Sequence, residues 1–335
     1  MCQLTDSRER SGVHVRALAR RLLTVLVVSV AVGACSPEPS AQSSQSAPHA
    51  LDWGVFVPDD QAGSSDLAVV TDMAGATPGY VLRFAAINDQ VPLGALSAIT
   101  AGGAVPILTL ELWQPGAGPE QPAYSLRRIL AGDFDSRLEA WARILADWGS
   151  PLILRTGHEM NSTFYPWSVR VNGNTAVESA AAWRHVREIF RRAGADNVAF
   201  MWCPDASADG LGDMAAAFPG ADSIDVLGLD GYNWGEGDGR SWRSAAEIFG
   251  DSLAQLRRLD PRHDIVIAET AGVEGPRSGI DKADWIYGLF DYLATQDRVT
   301  GVVWFQAVKE RDWRFNSSPQ AQEAFRQSVA KHSGR

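Results

Sequence analysis

After residue 50 the chain alternates between two textures. Short apolar runs recur: "WGVFVP", "YVLRFA", "AVPILTL", "PLILRTG", "VAFMWCP", "IDVLGLDGY", "DIVIAET" and "TGVVWFQ". Continuous apolarity over a few residues, rich in Val, Ile and Leu, marks strands covered on both faces. Helix-like segments separate most of these runs. In "DSRLEAWARILADWGSP", Leu138, Trp141, Ala142 and Leu145 fall at i, i+3, i+4 and i+7, and Gly149 and Pro151 then stop the helix. "VESAAAWRHVREIFRRAG" and "DKADWIYGLFDYLATQD" repeat the pattern. Eight strands alternating with helices predict an α/β fold whose parallel sheet closes into a (β/α)8 TIM barrel, one domain over residues 51–335. An open doubly wound sheet is the alternative, but no Gly-x-Gly-x-x-Gly follows the first strand.

The first 50 residues follow a different pattern. Arg16, Arg20 and Arg21 precede "LLTVLVVSVAVGA", a run shorter than the ~20 residues a spanning helix needs. It ends in "VGAC", which resembles the lipobox of bacterial lipoproteins, cut before a cysteine that then carries lipid. Residues 1–34 therefore read as a signal peptide and Cys35 as a lipid anchor. The Ser, Pro and Gln composition of residues 35–50 reads as a flexible tether. The expected location is extracytoplasmic, tethered to the cell membrane, or secreted if the lipobox is not used. Once Cys2 has left with the signal and Cys35 is lipidated, only Cys203 remains, too few for an internal disulfide. It reads as a small buried packing residue.

Charge narrows the partners. The 335 residues carry a formal net charge of -10, and residues 1–34 contribute +3 of opposite sign, so the remainder is more acidic still. That opposes nucleic acid as a partner and leaves a neutral polymer open. A monomer is expected, meeting the membrane only through its anchor.

The candidate chemistry lies at the C-terminal ends of the strands, where a barrel of this kind carries its site. Those ends hold Glu111 and Trp113, His158 and Glu159, Asp205, Tyr232 with Asn233 and Trp234, Glu269, and Trp304 with Gln306. In "HEMNSTFYPWS", His158-Glu159 opens like the zinc protease motif, but that motif needs a second His where Ser162 stands. "GEGDGR" lacks the oxygen ligands of a calcium loop. No metal and no cofactor are expected. A carboxylate beside rings suggests proton transfer next to a sugar platform. Glycoside hydrolysis commonly uses two carboxyl groups, and Glu159 and Glu269, on the fourth and seventh strands, face each other across the mouth of an eight-stranded ring. Two nearby glutamates push their ionisations apart, which can keep one protonated near neutral pH. Trp113, Trp167, Trp202, Trp234 and Trp304, at strand ends, are candidate platforms, whereas Trp141, Trp148, Trp183 and Trp285 lie in helical patterns and read as packing.

"HEMNSTFYPWS", "DVLGLDGYNWG", "IAETA" and "WFQAVKERDWRFNSS", in that order, resemble glycoside hydrolase family 26, the family of many β-mannanases. The resemblance runs from about Leu51 to the end of the chain. It implies a retaining endo-glycosidase acting on β-1,4-linked mannan, with Glu159 as acid/base and Glu269 as nucleophile. It further implies that His158 orients the first sugar subsite, that Tyr232 hydrogen-bonds the nucleophile and that Trp304 floors the subsite. The family often has Asn-Gly-x-Trp where this chain has Asn161-Ser162-Thr163-Phe164, which puts Phe164 at an aromatic binding position. It often has Thr-Trp-Glu-Pro-Trp where Leu110 and Leu112 stand in "TLELW". These departures leave the sugar open: mixed-linkage β-glucan and β-1,3-xylan are alternatives. A glycan-binding lipoprotein without turnover is the rival from a different class, and a transporter's solute-binding protein fits the lipobox but not the barrel pattern.

Overall fold

A computed structural model describes residues 48–58, 67–206, 210–277 and 279–334. The lipobox, Cys35 and the tether up to residue 47 lie outside the described residues. Eight parallel strands close into a barrel in sequence order, with the last pairing the first. They are β1 (Asp52–Phe56), β2 (Tyr80–Ala86), β3 (Val105–Glu111), β4 (Leu152–Thr156), β5 (Val198–Trp202), β6 (Val226–Asn233), β7 (Ile265–Gly272) and β8 (Val299–Phe305). The helices among the described residues are α1 (Leu67–Ala74), α2 (Leu93–Ala101), α3 (Leu126–Leu130), α4 (Asp135–Trp148), α5 (Ala176–Arg192), α6 (Leu211–Ala217), α7 (Ala245–Leu259), α8 (Ile280–Leu293) and α9 (Pro319–His332). The chain thus forms the (β/α)8 barrel that its alternating texture predicts.

Local chemistry sets the helix ends. Helix α4 buries Leu138, Trp141, Ala142 and Leu145 and ends at Gly149, whose φ of 72° is left-handed backbone that glycine adopts without penalty. Helices α5 and α7 open with reciprocal capping boxes, Thr175 with Glu178 and Ser244 with Glu247.

Strand alternation sorts side chains into two cores. Leu82, Ile107, Ile153, Met201, Val266, Ala268 and Val303 form an inner cluster along the barrel axis. Their sequence neighbours face outward into the larger core shared with the helices; Ile267 and Trp304 are examples. Above the inner cluster, Thr109, Arg155 and Asp230 continue the inward rows of β3, β4 and β6, all fully buried. A polar layer therefore sits on an apolar plug, at the end where the strands finish.

Candidate active site

One strand breaks the alternation. Leu229 of β6 pairs with Ile267 of β7, but Asp230 pairs with Glu269, so Ala268 is an extra residue in the ladder. Val266 and Ala268 both belong to the inner cluster. With regular alternation Glu269 would follow Ile267 outward, into the helix layer. The bulge turns it back toward the barrel mouth, and re-aiming one side chain beside a site is a common use of such bulges.

Glu269 is held at both oxygens. The Tyr232 hydroxyl donates to Oε2 at 2.6 Å, and Arg155 Nη2 ion-pairs with Oε1. Arg155 also donates from Nη1 to Asp230 at 2.6 Å and from Nε to Thr109 Oγ1 at 2.9 Å. Burial works against its charge, and Asp230 and Glu269 more than offset this, so the guanidinium stays charged. Its planar fork suits it to bridge two carboxylates at once. The Cys203 thiol donates to the other oxygen of Asp230 at 3.1 Å. Cys203 is buried, as a packing residue would be, and it also completes this polar layer.

Glu159 arrives differently. It lies three residues past the end of β4 with a φ of 50°, unusual for a residue with a side chain. Two links brace that conformation. Its N–H donates to the Cys203 carbonyl at 2.8 Å. Asn161 and Asp205 join side chain to main chain twice, both at 2.8 Å, which ties the loop after β4 to the loop after β5. Burial pushes the Glu159 carboxyl well above the usual carboxylate range; Asp205, Asp230 and Glu269 add to this, and Arg155 opposes it. Asp230, whose carboxyl burial also pushes well above the usual range, shares the Arg155 guanidinium with Glu269, whereas Glu159 makes no ion pair with it. Glu111, at the end of β3, is raised by burial to about 7, against the pull of Trp113 and Arg155.

Both glutamates open into a cleft of about 1150 Å³ at the barrel mouth. Trp113, Phe164 and Tyr165 line it beside β3 and β4, and Tyr232, Trp234 and Trp313 line it beside β6 and β8. Phe56, Phe84 and Phe305 also line it, Phe56 stacked on Phe305 at 4.5 Å between centroids. Of the expected substrate contacts, Tyr232, Trp113, Trp234 and Phe164 therefore lie in the cleft wall. Phe164 is 53% exposed, a free ring at the entrance. Arg240 covers one face of Trp234, its guanidinium 3.6 Å from the ring centroid.

Other expected contacts are corrected by the structure. Trp304 is 1% exposed and packs on Trp285, Phe315 and Phe325, behind the barrel wall, because alternation along β8 turns Val303 and Phe305 inward and Trp304 outward. Trp202 is likewise buried outward, against Phe218. Trp167 is 2% exposed; it stacks on Tyr165 at 4.6 Å and donates to the His158 carbonyl at 2.7 Å, so it braces the loop from behind. His158 is fully buried beneath Phe84, Tyr165 and Trp167 rather than in the cleft wall. Burial, then the charges of Arg155 and Lys309, hold its imidazole neutral.

Sequence reasoning missed Arg155, Asp230, Tyr165, Phe305 and Trp313. One signal was available: Arg155 interrupts the apolar run "PLILRTG", and a charge inside a strand covered on both faces needs a buried partner. The family departures in "TLELW" also take a different meaning. Leu110 and Leu112 are buried in the core, while Glu111 and Trp113, which the family pattern shares, are the pair that lines the cleft.

Comparison with known proteins bears on this arrangement. Over 324 residues the chain is 31% identical to Endoglucanase H of Acetivibrio thermocellus, an alignment covering 92% of this chain and 33% of that protein. The chain thus spans about a third of the length of the curated relative it matches. Among solved structures, it resembles the catalytic domain of an endo-β-1,4-mannanase from Bacillus sp. JAMB-750, with a TM-score of 0.63, 14% identity and coverage of 84% of this chain and 86% of that one. A β-mannanase from Bacteroides ovatus gives a TM-score of 0.60 at 17% identity, covering 84% and 88%. These two likenesses speak to the fold. Residues 120–259 match the profile described as Glycosyl hydrolase family 26. That stretch runs from the loop after β3 through α7 and takes in Arg155, Glu159 and Tyr232 with the strands that carry them, and over it the chain is similar to glycosyl hydrolase family 26.

Proposed function

We propose that the protein is a retaining, endo-acting glycoside hydrolase that cleaves a neutral β-1,4-linked mannan backbone. The observation that carries this reading is the contrast between two glutamates on one cleft. Burial and neighbouring carboxylates keep Glu159 protonated, while Arg155 and Tyr232 engage both oxygens of Glu269. In the first step Glu159 gives its proton to the departing glycosidic oxygen as Glu269 attacks the anomeric carbon. The C–O bond to the leaving sugar breaks and a glycosyl ester forms on Glu269. In the second step the Glu159 carboxylate takes a proton from water, which attacks the same carbon, frees Glu269 and restores the acid. Two inversions give net retention. Arg155 and Tyr232 fix where the attacking oxygens point, which is the positional part of catalysis. Aromatic rings on both flanks of the cleft suit a chain of pyranose rings that passes the cleavage point in both directions.

A second reading concerns the sugar. The relative matched along most of this chain is described as an endoglucanase, which favours a β-glucan backbone on the same two-glutamate chemistry. The test is a panel of galactomannan, glucomannan, lichenan and β-1,3-xylan, with proton NMR of the first-formed product. Release of mannooligosaccharides with retained configuration supports the first reading, and release from lichenan alone replaces it with the second. Binding without turnover on every polymer would leave a glycan-binding lipoprotein. The lipobox motivates a proposal on location: Cys35 anchors the enzyme to the membrane's outer face. Cys35→Ala should then move the protein from the membrane fraction to the medium or block its maturation; a processed, membrane-bound variant would refute the anchor.

A further inference from the structure

Lys282 is a fully buried cation that the proposed reaction does not use. It projects from the first turn of α8, and its ammonium meets three oxygens of the loop between β8 and α9. Nζ donates to the Arg314 carbonyl at 2.6 Å, to Ser317 Oγ at 2.8 Å and to the Asp312 carbonyl at 3.3 Å. An ammonium has three N–H donors, so donors and acceptors match in number. Burial lowers the Lys282 pKa to about 8, against the pull of Glu274 and Asp312. A charge kept in place at that cost needs a reason, since unpartnered carbonyls are the alternative for a loop folded against the barrel.

The two carbonyls held by Lys282 flank Trp313. The Trp313 carbonyl is itself taken by Trp304 Nε1 at 2.9 Å, so three successive carbonyls of this loop are anchored. The ring they fix in place is 1% exposed, too covered to act as a stacking platform. It borders the cleft with almost no exposed surface and backs its neighbours there, with its centroid 5.1 Å from the ring of Tyr232 and 4.8 Å from that of Trp234. Tyr232 is the residue whose hydroxyl reaches Glu269. Ser317 continues the network away from the cleft: its hydroxyl donates to Glu274 at 2.6 Å, and Glu274 accepts the Gly279 N–H at 2.8 Å. The loop after β7 and the loop after β8 are therefore tied at one buried point.

We infer that Lys282 is a positioning residue for the nucleophile: by pinning the carbonyls on either side of Trp313 it sets the ring that backs Tyr232, and so the hydrogen bond from Tyr232 to Glu269. This rests on the proposed role of Glu269. It places a residue of the outer helix layer, two shells from the reacting carbon, in control of how the attacking carboxylate is aimed.

The experiment is a double-mutant cycle between Lys282→Met and Tyr232→Phe. It is read as kcat/KM on a dinitrophenyl β-glycoside of mannobiose or cellobiose, whichever the wild type turns over. Tyr232→Phe keeps the ring and removes only the hydroxyl. If Lys282 acts through that hydroxyl, Lys282→Met lowers kcat/KM about tenfold beside Tyr232 and no more than about twofold beside Phe at that position, with the loss mainly in kcat. Equal loss in both backgrounds overturns the inference and leaves Lys282 a structural residue, while the reading of Glu269 stands. If Tyr232→Phe alone leaves kcat/KM unchanged, the role given to Glu269 and its tyrosine fails, and the inference fails with it. Should Lys282→Met not fold, Ser317→Ala removes one of the three acceptors, leaves both carbonyl bonds, and enters the same cycle with a smaller expected loss of the same pattern.

Discussion

Removing the Arg155 side chain by Arg155→Met should be among the most costly single changes in the barrel. Arg155 is fully buried and joins Asp230, Glu269 and Thr109. Methionine fills part of the volume but offers no donor, so two carboxylates at the centre of the barrel lose their only shared cation. Breaking a buried pair by removing one partner costs about 3–5 kcal/mol, because the surviving charge is left uncompensated. Against a domain stability of roughly 5–15 kcal/mol, that is a large fraction. It corresponds to a fall of about 10 °C in melting temperature for a domain of this size. The assay is urea unfolding followed by tryptophan fluorescence, with a thermal scan beside it. Two refinements tie the effect to charge rather than volume. Arg155→Met combined with Asp230→Asn should recover at least half of the loss, since one buried charge is removed with its partner. The deficit should also shrink as pH falls, because protonation neutralises the orphaned carboxylates. A variant within about 1 kcal/mol of wild type at pH 7 would refute the reasoning.

The same geometry bears on pH dependence and on three further variants. Because burial raises the Glu159 pKa, its proton is lost at a higher pH than that of an ordinary carboxyl, so kcat/KM should fall as pH rises through the raised value. Between the unfolded value of about 4.5 and the raised folded value the unfolded chain is ionised and the native one is not, so native stability declines as pH rises. Glu159→Gln should therefore stabilise the fold more at pH 7 than at pH 4.5, and a gain independent of pH in thermal scans would contradict the raised value. Trp113→Ala, which strips a half-buried ring from the cleft wall, should lower kcat/KM on polymer about 10- to 100-fold. Trp202→Phe, behind the barrel wall, should lower the melting temperature and leave kcat/KM of the folded enzyme within about threefold; the reverse pattern would exchange the two positions.

Much of this fold could be read from the sequence, for a physical reason. A strand covered on both faces must be largely apolar, so the barrel strands stand out as short, mostly apolar runs, and the helices between them carry their own periodicity. The same property hid what the site needed. An unbroken run such as "GVVWFQ" has no polar alternation to say which residues face inward. Such a run offers Trp304 as a platform, whereas Phe305 is the residue that reaches the cleft. The bulge at Ala268 that aims Glu269 leaves no compositional trace in "DIVIAET". Trp313 reaches the cleft only through a long loop held by bonds to Lys282 and Trp304, contacts between residues distant in sequence. Arg155 left a legible trace, a charge written into an apolar run whose partners only the closed barrel could supply.

The central claim is that Glu269 attacks the sugar and Glu159 supplies the proton. A slow-turnover 2-deoxy-2-fluoro glycoside with a dinitrophenyl leaving group traps the first covalent intermediate, and peptide mapping by mass spectrometry locates the label. The account predicts one label per chain, on the peptide containing Glu269, and with Glu269→Ala no label at all. It further predicts that Glu159→Ala still labels Glu269, because the activated leaving group needs no acid. A label on Glu159, or an inverted product with no label on either residue, would contradict the account.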